Sequence, residues 1–210
     1  FQAAARQYGV AVPSMAMSGF FAQSFLTRDN YQDLLKDCFQ TMKLFGSKVA
    51  FLPLGGSGKD WQQEGCAAYQ QMVSRLCTAG EMAKQEGITI GIRTGMGAKF
   101  DKKLLKKVGC SQIKVYYNFQ DAADHHRDIC KELRKLGAQR IVQIHASNTD
   151  SVNLQEDPEI NLPKIRKTLD KMKWSGWLVV ERSRDVKRVR DVKYNFGRNI
   201  AYLKQVFQER

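Results

Sequence analysis

Apolar runs of four to eight residues alternate with amphipathic stretches along almost the whole chain. The opening FQAAARQYG reads as a helix, and VAVPSMAM follows as an apolar run. The segment DNYQDLLKDCFQTMKLFG carries apolar residues at helical spacing and stops at Gly46. KVAFLPLGG then reads as a strand, GCAAYQQMVSRLCTAGEMAKQEG as a long helix, and ITIGIR as a strand. The pattern continues with KFDKKLLKKVG (helix), IKVYYNF (strand), ADHHRDICKELRKLG (helix) and RIVQIHAS (strand). It closes with LPKIRKTLDKMKW (helix), GWLVVER (strand) and NFGRNIAYLKQVFQER (helix). Strands separated by helices imply a parallel sheet with right-handed crossovers. Periodicity alone leaves an open doubly wound sheet and a βα barrel equally open. Six strands are two short of a complete eight-stranded barrel, which typically takes about 250 residues.

Chemistry enters at the strand ends, where such folds build their sites. Arg93 ends ITIGIR, Asn118 ends IKVYYN, His145 ends IVQIH and Glu181 follows GWLVV. A carboxylate placed directly after an apolar strand needs a metal, a substrate hydroxyl or a cation beside it. His125 and His126 are expected at the start of a polar helix, on a solvated face. GGSGK at 55–59 lacks the Ser or Thr and the spacing of a phosphate-binding loop, because Asp60 follows Lys59. It reads as a flexible strand-to-helix connection.

Length and composition narrow the picture further. With 210 residues, 43% hydrophobic and 26% charged, a single domain over 1–210 is expected. No apolar run has the length of a membrane span. Five cysteines without a CxxC pair suggest buried thiols and a reducing, cytoplasmic setting. The net charge of +13 comes from 34 basic and 21 acidic residues. These are scattered over several helices, so a solvated surface explains them better than a nucleic-acid partner. The densest runs are Lys102 to Lys107 and Arg182 to Arg190. The second begins next to Glu181 and suits an anionic ligand.

GITIGIRTGM, VYYNFQDAAD, QIHASNTD and WSGWLVVERSRD together resemble the sugar phosphate isomerase/epimerase family, the xylose isomerase-like TIM barrels. The resemblance covers essentially the whole chain. It implies an α/β fold, a (β/α) TIM barrel lacking the first two strands, and exposed strand edges through which the chain self-associates. In the family a glutamate, an aspartate, a histidine and a second glutamate bind one divalent metal, commonly Mn, Co, Mg or Zn. The two glutamates also move a proton between adjacent carbons of a sugar. Here His145 and Glu181 match the last two ligands. Arg93 stands in place of the first glutamate and Asn118 in place of the aspartate, while Asp121 falls where the family often has Asn. The four positions sum to zero formal charge without any metal, and a dication beside Arg93 would be repelled. The resemblance therefore implies a degenerate metal site, with His145 and Glu181 as metal ligands only if an ion binds.

Catalytic work falls to Glu181 and His145, and substrate contacts to Arg93, Asn118, Asp121 and Arg182. All four strand-end residues are expected to converge, with Arg93 within ion-pair reach of Glu181. The expected partner is a small carbohydrate or sugar acid. Three functions are weighed: a sugar isomerase or epimerase, a non-catalytic sugar-acid binder, and a nucleic-acid-processing barrel. The last usually needs a His-rich zinc cluster, which three histidines do not supply.

Overall fold

Strands and helices alternate because apolar periodicity alternates between buried runs and one-sided stripes. The computed structural model describes residues 1–54 and 60–209. GGSGK at 55–59 lies outside the described residues. In chain order the elements are α1 (Gln2–Gln7), β1 (Ser14–Ala16), α2 (Gly19–Ala22), α3 (Tyr31–Phe45), β2 (Val49–Pro53), α4 (Ala67–Gln85) and β3 (Thr89–Arg93). They continue with α5 (Ala98–Val108), β4 (Ile113–Asn118), α6 (Phe119–Ala123), α7 (Ile129–Leu136), β5 (Ile141–His145), α8 (Leu162–Lys171), β6 (Leu178–Val179) and α9 (Val192–Phe207). The six strands follow chain order in one sheet, β1-β2-β3-β4-β5-β6. Parallel ladders join β1 to β2, β2 to β3, β3 to β4 and β5 to β6.

The chain divides into two compact units, Phe1–Thr94 with Phe100–Tyr116, and Gly95–Lys99 with Tyr117–Arg210. In the first, α3 shows how sequence becomes packing. Tyr31, Leu35, Phe39 and Met42 lie on one stripe and are all buried. Gly46 ends the helix at φ 68°, a left-handed conformation that costs a residue with a Cβ more than glycine. The buried stripe meets Leu52, Leu54, Met72, Leu76, Ile90 and Ile92 in one apolar core. The second unit buries Phe119, Leu133, Leu136, Ile144, Leu162, Ile165 and Leu169.

Three segments differ from the periodic reading. VAVPSMAM yields only the three residues of β1, because Pro13 has no N–H to give a ladder. ADHHRDICKELRKLG becomes helical only at α7: its first residue, Ala123, ends α6, and a turn separates the two. His126 sits in that turn at φ 51°, and Asp128 starts the new helix by accepting from the Lys131 N–H at 2.9 Å. Aspartate gains more as an N-cap than inside a helix, so the break falls there. GWLVVER forms a two-residue strand, β6, whose residues are only half-buried. Its ladder reaches Leu178 and Val179 against Ile144 and His145.

Candidate functional site

In the first unit Arg93 closes β3. It is in register with Pro53, and its carbonyl accepts from the Leu54 N–H at 2.9 Å. Its side chain is half-buried. The next residue, Thr94, donates its hydroxyl to buried Asp101 at 2.5 Å, which fixes the strand end to α5.

In the second unit three sequence-predicted residues come together. Asn118 and His145 are buried, at the ends of β4 and β5. Their side chains approach at 3.4 Å, Asn118 Nδ2 to His145 Nδ1. The same Nδ1 lies 3.5 Å from Glu181 Oε2. Asn118 also caps α6: its Oδ1 accepts from the Gln120 N–H at 2.8 Å. Only the amide oxygen can do that, so the amide nitrogen is the group that faces the imidazole. The Glu181 side chain is 50% exposed, which corrects the expectation of a buried carboxylate. A two-residue strand cannot carry the residue after it into the core.

Asp121 lies in the first turn of α6. Its carbonyl accepts from Arg127 Nη2 at 2.7 Å and meets His125 Nδ1 at 2.8 Å. Arg127 also donates to the Gly95 carbonyl at 3.1 Å. Glu132 accepts from the Ala98 N–H at 3.0 Å and from the Tyr117 hydroxyl at 3.3 Å. A carboxylate on the first N–H of α5 suits the helix dipole.

Arg182 and Arg184 both meet Asp150. Arg184 donates through Nε to Oδ1 at 2.8 Å and through Nη2 to Oδ2 at 2.6 Å. Arg182 reaches Oδ2 through Nε at 3.1 Å and Nη2 at 3.0 Å. The Arg184 hydrogen bond, then that of Arg182, holds the Asp150 carboxyl below the usual carboxylate range.

Sequence reasoning missed a buried amide network that shapes these loops. Ser183, buried at φ 72°, accepts from the Asn148 N–H through Oγ at 2.9 Å. Its carbonyl accepts from Asn153 Nδ2 at 3.1 Å and Asn199 Nδ2 at 2.6 Å. Asn195 is fully buried and uses its whole amide. Oδ1 accepts from Asn153 at 3.0 Å and from the Asp185 N–H at 2.8 Å. Nδ2 donates to the carbonyls of Arg188 at 2.7 Å and Asp191 at 2.9 Å. A signal existed: Asn195 and Asn199 sit one turn apart, on the stripe of α9 that Leu203 continues. Buried amides on such a stripe imply partners across it.

Among the described residues no group of three or more His, Cys, Asp or Glu side chains is arranged to hold a metal ion. No helix among them is long and apolar enough to cross a membrane.

The family model for the xylose isomerase-like TIM barrel matches residues 1–206. The chain belongs to that family. No curated protein matches this xylose isomerase-like chain. Solved structures do, at low identity. A family 2 AP endonuclease from Brucella melitensis has a TM-score of 0.73 and 15% identity, over 92% of this chain and 81% of the other. A sugar phosphate isomerase/epimerase from Parabacteroides distasonis has a TM-score of 0.75 and 15% identity, over 97% and 73%. A D-psicose 3-epimerase solved with D-fructose has a TM-score of 0.74 and 11% identity, over 98% and 81%. At such identities the likeness carries the fold, and function has to be argued from the site.

Proposed function

We propose that this xylose isomerase-like chain binds a small sugar or sugar acid at the C-terminal ends of its strands. His145 and Glu181 move a proton on that ligand, as isomerases and epimerases of sugars do, without a divalent metal. The observation that carries the reading is the His145–Glu181 pair, 3.5 Å apart on adjacent strand ends. Moving hydrogen between carbons beside a carbonyl needs one group to accept a proton and another to return it. A carboxylate and an imidazole are such a pair. Neighbours whose names are those of sugar epimerases support the substrate class.

The donor chemistry supports the metal-free form. A hard or borderline dication prefers several charged oxygens. In the second unit Glu181 is the only carboxylate of the expected ligand set, and the Asn118 oxygen is engaged by the Gln120 N–H at 2.8 Å. That bond takes one of the oxygen's two lone pairs, and the amide brings no charge to an ion. We assign Asn118, Asp121 and Arg182 of the second unit to ligand contacts, and Arg93 of the first unit stays an expectation from the sequence. The single carboxylate also favours a second reading, a binder of sugar acids that performs no chemistry.

One experiment separates the two. Wild-type protein and Glu181→Gln are incubated in D2O with EDTA and a panel of ketoses, aldoses and sugar acids. Proton NMR follows exchange at the carbon beside the carbonyl. The catalytic reading expects exchange in wild type and its loss in the variant, by about 100-fold or more. Binding without exchange selects the non-catalytic reading. No binding by any member of the panel sinks both.

A further inference from the structure

We propose that Asp150, Arg184 and Arg182 form a latch for an oxyanion, so that the ligand is an anionic sugar, phosphorylated or oxidised to an acid. The ligand class rests on the sugar reading above. The latch itself rests on its own geometry.

The geometry divides the two arginines by role. Arg184 grips Asp150 with two parallel bonds, Nε to Oδ1 at 2.8 Å and Nη2 to Oδ2 at 2.6 Å. That is the strong bidentate arrangement of guanidinium and carboxylate. Arg182 makes one hydrogen bond to Oδ2, from Nε at 3.1 Å, and its Nη2 lies 3.0 Å from the same oxygen at ion-pair distance. Oδ2 thus accepts one hydrogen bond from each guanidinium, which takes up about both of its lone pairs. The Arg182 contacts are the longer and weaker ones. Two cations share one anion, and the surplus charge sits on Arg182, whose side chain is 45% exposed.

Arg182 is not needed to hold the loops together. The Asn148 N–H donates to Ser183 Oγ at 2.9 Å, and the Val186 N–H donates to the Ser151 carbonyl at 3.1 Å. Those bonds join the loop after β5 to the loop after β6 without any guanidinium. Arg182 can therefore exchange Asp150 for a ligand while Arg184 keeps the anchor in place. A phosphate or carboxylate offers its donors two oxygens instead of one, which is the better geometry.

Position ties the latch to the site. Arg182 directly follows Glu181, and Asp150 lies five residues after His145 on the loop that leaves β5. Glu181 directs its carboxylate to His145 Nδ1. Two other arginines of this region are otherwise engaged. Arg188 bonds Asp191 at 2.6 Å and lies over Tyr194, while Arg198 pairs with Glu156. The chemistry selects Arg182 as the receptor for one oxyanion on the loop that follows β6.

Calorimetric titration of the full chain with inorganic phosphate tests the latch without any sugar. Wild type should bind. Arg182→Gln, a change at a half-exposed residue, should weaken binding at least about tenfold. Asp150→Asn should tighten it about threefold or more, because it removes the competing carboxylate. A merely structural ion pair would not give that gain. Binding that is absent in wild type, unchanged in Arg182→Gln, or weaker in folded Asp150→Asn overturns the latch. Gluconate and glucose 6-phosphate should displace phosphate, and glucose should not. Phosphate binding that depends on Arg182, with no sugar displacing it, keeps the latch and sinks the sugar reading. Anionic sugars that bind Arg182→Gln as tightly as wild type do the reverse.

Discussion

Replacing Asn195 by leucine tests whether the buried amides hold the loop that carries Glu181. Leucine has nearly the same shape but no polar atoms. Asn195 makes four side-chain hydrogen bonds, with Asn153, the Asp185 N–H and the carbonyls of Arg188 and Asp191. The Asp191 carbonyl keeps its helical bond from the Asn195 N–H at 3.0 Å, so it is not orphaned. The Asn153 amide keeps the Ser183 carbonyl at 3.1 Å but loses its second acceptor. The Arg188 carbonyl keeps the Asp191 N–H at 2.8 Å, so it is not orphaned either. The Asp185 N–H loses its partner in a partly exposed loop that water can reach. A buried polar group left unpaired costs about 1–3 kcal/mol. One such group at full weight and one discounted for water, less what the leucine gains by burial, give a net expectation of about 1–2 kcal/mol, or roughly 2–8 °C in Tm for a chain of this size. Urea unfolding followed by circular dichroism at 25 °C measures it, with Lys193→Ala as the exposed control. Hydrogen exchange should also lose protection at 183–191 before the rest of the second unit. A variant within about 0.5 kcal/mol of wild type, the range of ordinary surface changes, would refute the network's structural role.

Two further outcomes are expected. Asn118→Asp places a second carboxylate beside His145 and Glu181 and should raise Mn2+ affinity by at least about tenfold in calorimetry. Aspartate at 118 can still cap α6, so loss of fold is not the expected result, and an unchanged affinity would contradict the donor-set argument. Asp150 has its carboxyl held low by Arg184 and Arg182, so its stabilisation is present above the unfolded value of roughly 4 and fades as pH falls through the lower folded value. The stability gap between wild type and Asp150→Asn should be flat from about pH 5 to 7 and shrink below about pH 4. Its size should stay under about 1 kcal/mol, because both guanidiniums are partly exposed. A gap that ignores pH would mean the charge of Asp150 does not matter.

The sequence by itself determined the parallel βα order, the family and which polar residues stand at the strand ends. Those features are local. Apolar runs bounded by helix stops specify strands, and Gly46 at φ 68° ends α3 where the spacing said it would. A strand end fixes one residue at a rim, which is why Asn118 and His145 were legible as neighbours. Other features were decided by tertiary structure. The exposure of Glu181 depends on how far β6 is paired, and only Leu178 and Val179 join Ile144 and His145. The break at His126 reflects Asp128 capping α7, a competition that periodicity does not score. The amides of Asn153, Asn195 and Asn199 and the grip of Arg184 on Asp150 join residues 16 to 45 positions apart. Hydrogen bonds over such separations exist only once the loops have been brought together, so no local pattern of the chain announces them.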